Sequence, residues 1–235
     1  MTEPRVTLRY FQCAGRAQPL RLALADAGIA FEDLRVAMDE WPAHKLTPAF
    51  AGPHACLPTL TWNDATVAET LPIASFLAKR LGQYEGLDDE AIALREAVSS
   101  TCYIEILTRV AEVVYADGLH PGVDLPKSFA LIGSHMMTKL DRVEANASGD
   151  FLFGDEPCVP DFFAYEALFH LRRTRAPADH AAFAARYPRL HALEARLDAR
   201  PRFAAEKAKR PTGFTVHPNE EGILASVHAV PLTGV

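Results

Sequence analysis

Alternating apolar and polar side chains mark the first predicted element of the chain. Val6, Leu8 and Tyr10 occupy every second position of the stretch VTLRYF, which is the period of a β-strand. Leucines and alanines then recur at helical spacing from about Gly15, and Gly28 is the kind of residue that ends a helix. Because the stretch AFEDLRV favours a second strand, this part of the chain predicts the order β-α-β.

Two more strands and a helix complete the first predicted unit. The stretches LPTLTW and ATVAE are joined by an Asn-Asp pair, which tolerates the positive φ of a tight hairpin turn. Thr70 is a suitable N-cap for the next helix, Pro72 falls in its first turn, and Gly82 is its predicted end. Residues 1–84 therefore predict a small mixed α/β domain: β-α-β, a connecting segment, then β-β-α.

Helical periodicity replaces strand alternation from Asp88 onward. Ala- and Leu-rich patterns predict helices over residues 90–116, 125–147, 159–172, 178–187 and 188–209. The segment YEGLDD is the predicted hinge between the two units. The sequence thus predicts an α+β protein with two domains, residues 1–84 and an all-helical domain over residues 85–212. Residues 213–235 lack periodicity and are expected to form a C-terminal tail that lies over the surface.

Composition and charge narrow the functional classes. The 235 residues carry a net charge of −6 and contain no basic stripe, which argues against a nucleic-acid surface. No apolar run approaches the roughly 20 residues that span a bilayer, and the first residues are charged where a signal peptide needs apolar ones. We therefore expect a cytoplasmic protein without a membrane partner. The four cysteines and nine histidines are widely dispersed, which predicts reduced thiols and no metal site.

Three chemically suggestive residues, Tyr10, Cys13 and Arg16, lie where the first strand passes into the first helix. A tyrosine at the end of a strand is more often a core aromatic with a satisfied hydroxyl. A buried cysteine usually behaves as a small apolar residue, and an arginine at a helix start is as often a surface residue. The residue types alone therefore leave open which of the three acts.

Six stretches of the chain, taken in order, resemble motifs of the cytosolic glutathione transferases, especially the tyrosine-type enzymes of the sigma, pi and mu classes. They are YFQCAGRAQPLR, EWPAHK, CLPTL, AETLPIASFLAKRLG, FLFGDEPCVPDFF and YPRLHALEARLDARP. The resemblance covers nearly the whole chain. It implies a thioredoxin-like N-terminal domain of βαβαββα-like order, an all-helical C-terminal domain, and a homodimer. It also implies glutathione as co-substrate and a small hydrophobic electrophile as the other substrate.

The resemblance also implies a role for each matched residue. Tyr10 would stabilise the glutathione thiolate, since a phenol O–H donates to the anion and thereby lowers the pKa of the thiol. The other residues divide by the part of glutathione that they would hold: Trp41 and Lys45 the glycine carboxylate, Cys56, Leu57 and Pro58 the cysteinyl part, Glu69 and Thr70 the γ-glutamyl end, and Arg16 the surroundings of the sulfur. Glu69 and Thr70 stand where tyrosine-type classes usually have Gln and Ser, which leaves the class open. Phe11, Tyr103 and Tyr115 would line the electrophile pocket, unless they are core residues.

Two alternatives keep the fold and change the function. The first is a binding or structural protein that has lost the activity. The second is a thiol transferase that uses Cys13 as its nucleophile. In the serine- and cysteine-type relatives the corresponding position falls near Ala17 in this sequence, and not at Cys13. This offset deprives Cys13 of the helix-end position that would lower its pKa.

Overall fold

A mixed four-stranded sheet forms the centre of the N-terminal domain. The computed structural model describes residues 3–119, 122, 124–211 and 213–230. The strands are β1 (Val6–Phe11), β2 (Glu32–Val36), β3 (Thr59–Trp62) and β4 (Ala65–Ala68), in the spatial order β2-β1-β3-β4. β1 pairs parallel with β2 and antiparallel with β3, and β3 pairs antiparallel with β4. This topology confirms the predicted strand order and the thioredoxin-like N-terminal domain.

The helices of the N-terminal domain connect these strands and cover the sheet. They are a 3-10 turn Gly15–Ala17, α1 (Gln18–Asp26), α2 (Trp41–His44), α3 (Pro48–Ala51) and α4 (Thr70–Arg80). The leucines of α1 are fully buried, as the helical spacing predicted. Thr70 is the first residue of α4 and not its N-cap, because Glu69 occupies the N-cap position with a φ of +73°. The predicted cap was therefore wrong by one residue.

The second domain is helical throughout its described residues. Its helices are α5 (Asp89–Ser100), a π-helical segment Thr101–Leu107, α6 (Thr108–Leu119), α7 (Leu125–Asn146), α8 (Val159–Arg173), a 3-10 turn Pro177–Asp179, α9 (His180–Arg186), α10 (Pro188–Asp198) and α11 (Pro201–Lys207). Most residues of α8 are buried, and this helix packs against α1, α5 and α10. None of the helices in the described ranges is both long and apolar enough to cross a bilayer.

Two predicted helices differ from the observed ones. The helix predicted over residues 90–116 contains a π-helical segment of seven residues at Thr101–Leu107. The helix predicted over residues 188–209 is two helices, α10 and α11. Arg200 has an extended ψ of 121° immediately before Pro201, since a proline disfavours the helical conformation in the residue that precedes it.

Polar contacts fix the two domains against each other. Arg200, between α10 and α11, donates from Nε to Oδ1 of Asp26 at the end of α1, over 2.6 Å. The N–H of Val159 at the start of α8 donates to Oε1 of Gln83 over 3.0 Å. These contacts join the end of α1 to the α10–α11 connection, and the residues after α4 to the start of α8.

The C-terminal segment differs from the predicted surface tail. Residues Glu220–Ser226 form a further helix, α12. Phe214, Leu224 and Val227 are all at most 3% exposed. The described part of this segment, residues 213–230, therefore packs into the protein and does not simply cover it.

Candidate functional site

A cavity of about 430 Å³ opens beside the carboxyl end of β1. One side of it is formed by the β1–α1 junction, including Tyr10 and Phe11, together with Leu57. Tyr115 and its neighbours on α6 form another side, and residues 214–216 of the C-terminal segment close it. The cavity therefore lies between the two domains, where the predicted catalytic tyrosine is located.

The Tyr10 side chain packs directly on the backbone of the turn that follows β1. A Cβ placed on Gly15 would lie 2.5 Å from Cε1 and 2.7 Å from the hydroxyl of Tyr10, and Gly15 has a φ of +43°. Only glycine allows both this approach and this conformation without strain. The close contact between the turn and the Tyr10 phenol therefore requires glycine at position 15.

Burial keeps the Tyr10 phenol in its protonated form. Tyr10 is 6% exposed, and its burial is the main reason that its pKa is raised well above the ordinary value. The neighbouring Cys13 acts in the same direction, whereas a hydrogen bond from the backbone of Arg16 opposes them. At neutral pH the phenol therefore carries its proton and can donate it in a hydrogen bond.

A buried arginine that the sequence analysis missed stabilises this turn through hydrogen bonds to its backbone. Arg21 is fully buried and donates to the backbone carbonyls of Cys13 and Ala14, each over 3.1 Å. Its Nε donates to Oδ1 of Asp33 on β2 over 2.9 Å. The guanidinium carbon lies 5.9 Å from the centroid of the Tyr10 ring. An arginine among the leucines on the buried face of α1 was the available sequence signal.

An edge-to-face aromatic series leads from Tyr10 to the predicted glycine-carboxylate residues. The ring centroids of Tyr10 and Phe11 are 5.4 Å apart, and those of Phe11 and Trp41 are 5.6 Å apart. Lys45 is exposed immediately after α2, and its N–H donates to the carbonyl of Trp41 over 2.9 Å. Trp41 and Lys45 thus lie at the two ends of the short helix α2, with Lys45 as its C-cap.

The peptide bond between Leu57 and Pro58 is cis, and Leu57 lines the cavity. In the part of the chain that the structure describes, neither the N–H nor the C=O of Leu57 bonds to another backbone group. These two groups form a short strand edge to which an extended peptide can add. The N–H of Glu69 donates to the carbonyl of Pro58 over 3.2 Å, and the Cys56 thiol donates to Oε1 of Glu69 over 3.3 Å. Residues 56–58 and the start of α4 are therefore adjacent.

The start of α4 contains an unsatisfied hydroxyl. Thr70 is 1% exposed, and its Oγ1 has no hydrogen-bond partner among the described residues. The first N–H groups of a helix also lack partners within the helix, so a carboxylate is favoured at this end. A ligand carboxylate has the charge and the acceptor oxygens that would satisfy these donors.

The predicted electrophile-pocket residues do not all reach the cavity. Phe11 and Tyr115 line it. Tyr103 does not: it is buried, and its ring packs edge-on against Phe163 with centroids 6.4 Å apart. It lies within the π-helical segment, whose wider turn changes which face a residue occupies relative to α6. Tyr103 is thus the core residue that the sequence analysis left as its alternative.

Cys13 also lines the cavity, but it is 4% exposed. Burial raises the pKa of its thiol to about 11, and the positive charge of Arg21 opposes this only in part. The Cys13 thiol is therefore protonated at neutral pH and lacks the nucleophilic thiolate form.

Metal ligation is not indicated elsewhere in the described ranges. Across residues 3–119, 122, 124–211 and 213–230, no three His, Cys, Asp or Glu side chains come close enough to hold an ion. A second cavity, of about 510 Å³, lies between α4 and α5, and none of the predicted site residues lines it.

Comparisons with known proteins agree with this architecture. Residues 127–210 match a family model described as "Glutathione S-transferase, C-terminal domain". The chain is 33% identical to the glutathione S-transferase class-mu 28 kDa isozyme of Schistosoma japonicum over 105 residues, which cover 43% of this chain and only 49% of that relative. It is 26% identical to S-crystallin SL11 of Nototodarus sloanii over 210 residues, 88% of this chain and 97% of that relative.

The structural likeness extends over both domains. The sigma class glutathione transferase of Fasciola hepatica superposes with a TM-score of 0.71 at 24% identity, covering 91% of this chain and 100% of that one. A thioredoxin-like domain and an all-helical domain occur here in the same order as in that structure. Residues 127–210 therefore match the C-terminal domain of the glutathione transferases, and the chain as a whole has a fold similar to theirs.

Proposed function

We propose that the protein is a glutathione transferase that joins the sulfur of glutathione to small hydrophobic electrophiles, with Tyr10 as the catalytic residue. The observation that carries the proposal is the protonated, buried phenol of Tyr10 on the wall of a cavity between the two domains. Such a phenol is a hydrogen-bond donor at neutral pH, and it favours the thiolate over the thiol of a bound cysteine.

The same proposal assigns each part of glutathione to residues near Tyr10. The unpaired backbone of Leu57 supports an extended cysteinyl segment, continued by Cys56 and Pro58. The unpartnered hydroxyl of Thr70 supports binding of the γ-glutamyl carboxylate, and Glu69 can receive the ammonium. The indole N–H of Trp41 and the charge of Lys45 suit the glycine carboxylate. Arg16 lines the cavity and adds positive charge near the sulfur.

The proposed reaction with an aryl halide needs no group beyond the two substrates. The glutathione thiol loses its proton to solvent on binding, and the hydrogen bond from Tyr10 lowers the free energy of the resulting anion. A lone pair of the sulfur then forms a bond to the ring carbon that bears the halogen. The carbon–halogen bond breaks, and the halide leaves with the bonding pair. Tyr10 keeps its proton throughout.

Replacing the phenol tests the role of Tyr10. We expect Tyr10→Phe to lower kcat/KM for an activated aryl halide by about 100-fold, because one donor to a developing or existing anion is removed. Tyr84→Phe is the matched control, since its hydroxyl donates to Glu96 and Tyr84 does not line this cavity. Spectroscopic titration of bound glutathione should show a lowered thiol pKa in the wild type and the control. Equal rates for wild type and Tyr10→Phe would remove Tyr10 from the mechanism.

A non-catalytic binding or structural protein of the same fold is the second candidate. It is favoured by the match to S-crystallin SL11, which extends over 88% of this chain. Retention on a glutathione resin without turnover of a broad electrophile panel would support this candidate. Turnover that depends on Tyr10 would exclude it.

Assembly and location belong to the same proposal. We expect a homodimer, as the family resemblance implies, and light scattering should then give about twice the chain mass of 25.8 kDa.

The four cysteines are unpaired thiols, which fits a reducing compartment such as the cytoplasm. Cell fractionation with an antibody against the protein tests that location.

A further inference from the structure

The C-terminal segment supplies the part of the cavity wall that the sequence analysis did not foresee. Phe214, Thr215 and Val216 all line the cavity that contains Tyr10. The carbonyl of Gly213 accepts a hydrogen bond from the N–H of Ala14, over 3.0 Å, in the turn that follows β1. This segment therefore contacts the proposed catalytic turn directly.

A single buried carboxylate holds this wall in its conformation. Glu220, at the start of α12, is 4% exposed. It accepts hydrogen bonds from the N–H of Phe214 over 2.9 Å, the N–H of Thr215 over 2.6 Å, and the hydroxyl of Thr215 over 2.8 Å. Glu220 does not itself line the cavity. Its hydrogen bonds act on the cavity through the residues that it holds. Besides burial, its charge also raises the pKa of the Cys13 thiol.

Arg173 and His170 of α8 hold Glu220 and Phe214 from the other side. Nη1 of Arg173 lies 2.7 Å from Oε1 of Glu220, and the same guanidinium donates to Nδ1 of His170 over 3.1 Å. The ring of His170 lies 4.4 Å from that of Phe214, centroid to centroid. The wall is thus tied to the most buried helix of the second domain.

The charge state of Glu220 fits this function. Burial alone would raise its pKa, but the hydrogen bonds from Thr215 and Phe214 and the contact with Arg173 outweigh it, so the pKa lies below its ordinary value. Glu220 is therefore ionised at neutral pH. Hydrogen bonds to an ionised acceptor are stronger than those to a neutral one.

We propose that Glu220 is a positioning residue that sets the shape of the electrophile side of the cavity, and through it the electrophiles that the protein accepts. This inference rests on the proposed transferase function. The segment makes no contact with Thr70, Trp41 or Lys45 in the hydrogen bonds and ion pairs of the described residues. Changes at Glu220 should therefore affect the electrophile and leave glutathione binding unchanged.

Two isosteric substitutions on neighbouring residues provide the test. Glu220→Gln removes the charge that holds the wall. Glu221→Gln is the matched control, because Glu221 pairs with the same Arg173 but is 78% exposed and has no bond to residues 214–216. For a series of aryl halides and enones of increasing size, we expect Glu220→Gln to raise the electrophile KM about tenfold and to change the order of preference. The glutathione KM should stay within about twofold of wild type in both variants.

Hydrogen exchange provides a readout that does not need catalysis. The N–H groups of Phe214 and Thr215 should be protected in the wild type and in Glu221→Gln, and should exchange at least about tenfold faster in Glu220→Gln. If the wild type turns over no electrophile, the transferase proposal fails while this measurement still decides whether Glu220 holds the wall.

Specific outcomes would overturn the inference. Equal electrophile profiles for the two variants, or unchanged exchange at Phe214 and Thr215 in Glu220→Gln, would each do so. If Glu220→Gln does not fold, Arg173→Lys replaces it, since lysine keeps the charge but loses the planar guanidinium. A smaller shift in electrophile KM, again without a change in glutathione KM, is then expected. Parallel changes in both KM values would contradict the proposed division of roles.

Discussion

The two sides of the cavity are held in different ways. On the Tyr10 side, contacts join residues that are close in sequence, such as the bond from Arg21 to the carbonyl of Ala14 seven residues before it. On the C-terminal side, Arg173 reaches Glu221 across 48 residues, and one carboxylate orders two wall residues through three hydrogen bonds. The first side suits a fixed thiolate-stabilising geometry. Under the proposed function, changes on the second side should therefore alter the choice of electrophile and leave the thiolate chemistry unchanged.

The largest expected effect comes from disturbing the Tyr10 side at Gly15. In Gly15→Ala the new Cβ would collide with Cε1 and the hydroxyl of Tyr10, at 2.5 and 2.7 Å. The phenol must then move by about an ångström, and such a displacement of a catalytic group lowers rates by about 100-fold. The measurement is kcat/KM for an aryl halide, with circular dichroism to check folding.

Gly86→Ala is the control for the backbone conformation of Gly15. Gly86 also has a positive φ, of +76°, but a Cβ there would meet nothing within 4 Å. This variant should lose a little stability and keep its activity. If the two alanine variants lost activity equally, the contact between Gly15 and Tyr10 would not be the cause.

The next largest effect is expected at Arg21, behind the same turn. Arg21→Met removes bonds to Cys13, Ala14 and Asp33 in a fully buried position, and a buried group left without its hydrogen-bond partner costs about 1–3 kcal/mol. The free energy of unfolding in urea measures this cost. Conjugation should also fall, by about tenfold, because the turn that carries Gly15 loses its support.

Arg35→Met is the control that removes an ion pair with Asp33 but leaves the hydrogen bonds to the turn in place. Arg35 also donates to Asp33, over 2.7 Å, but it is 28% exposed and bonds neither Cys13 nor Ala14. Its loss should cost less than about 1 kcal/mol and leave the rate unchanged. An equal cost for both variants would mean that Asp33, and not the turn, is what Arg21 stabilises.

On the C-terminal side, Phe214→Ala should change selectivity more than rate. Phe214 lines the cavity and is 3% exposed, so its removal widens the apolar wall. We expect the KM for small electrophiles to rise by about 5-fold. The KM for bulkier electrophiles should rise less, so the preference should shift toward them. Titration of bound glutathione should give the same thiol pKa as the wild type. A changed thiol pKa would show that the two sides of the cavity are coupled.

The difference between the two sides also explains what the sequence could predict. Strand alternation in β1 and helical spacing in α1 are local patterns, so the β1–α1 junction and the order of elements along the chain followed from residues near one another. The thioredoxin-like arrangement of the sheet was implied only by the family resemblance. Glu220 and Phe214 lie in a segment without periodicity, and their partners on α8 are distant in sequence, so no local pattern pointed to them. The helical pattern also could not decide between a cavity position and a core position for Tyr103, because a π-helical segment interrupts the helical phase between it and Tyr115.

The smallest effect is expected at Cys13, which separates the transferase proposal from the thiol-transferase alternative. Burial raises the pKa of Cys13 to about 11, so at pH 7 fewer than about one thiol in a thousand is ionised. We expect Cys13→Ala to keep kcat/KM within about twofold of wild type, at a small cost in stability from the lost sulfur. Iodoacetamide at pH 7 should leave Cys13 unmodified, as peptide mass analysis can establish. Loss of activity in Cys13→Ala, together with a glutathione adduct on Cys13 in the wild type, would instead make Cys13 the nucleophile, and Tyr10 would then only shape the cavity beside it.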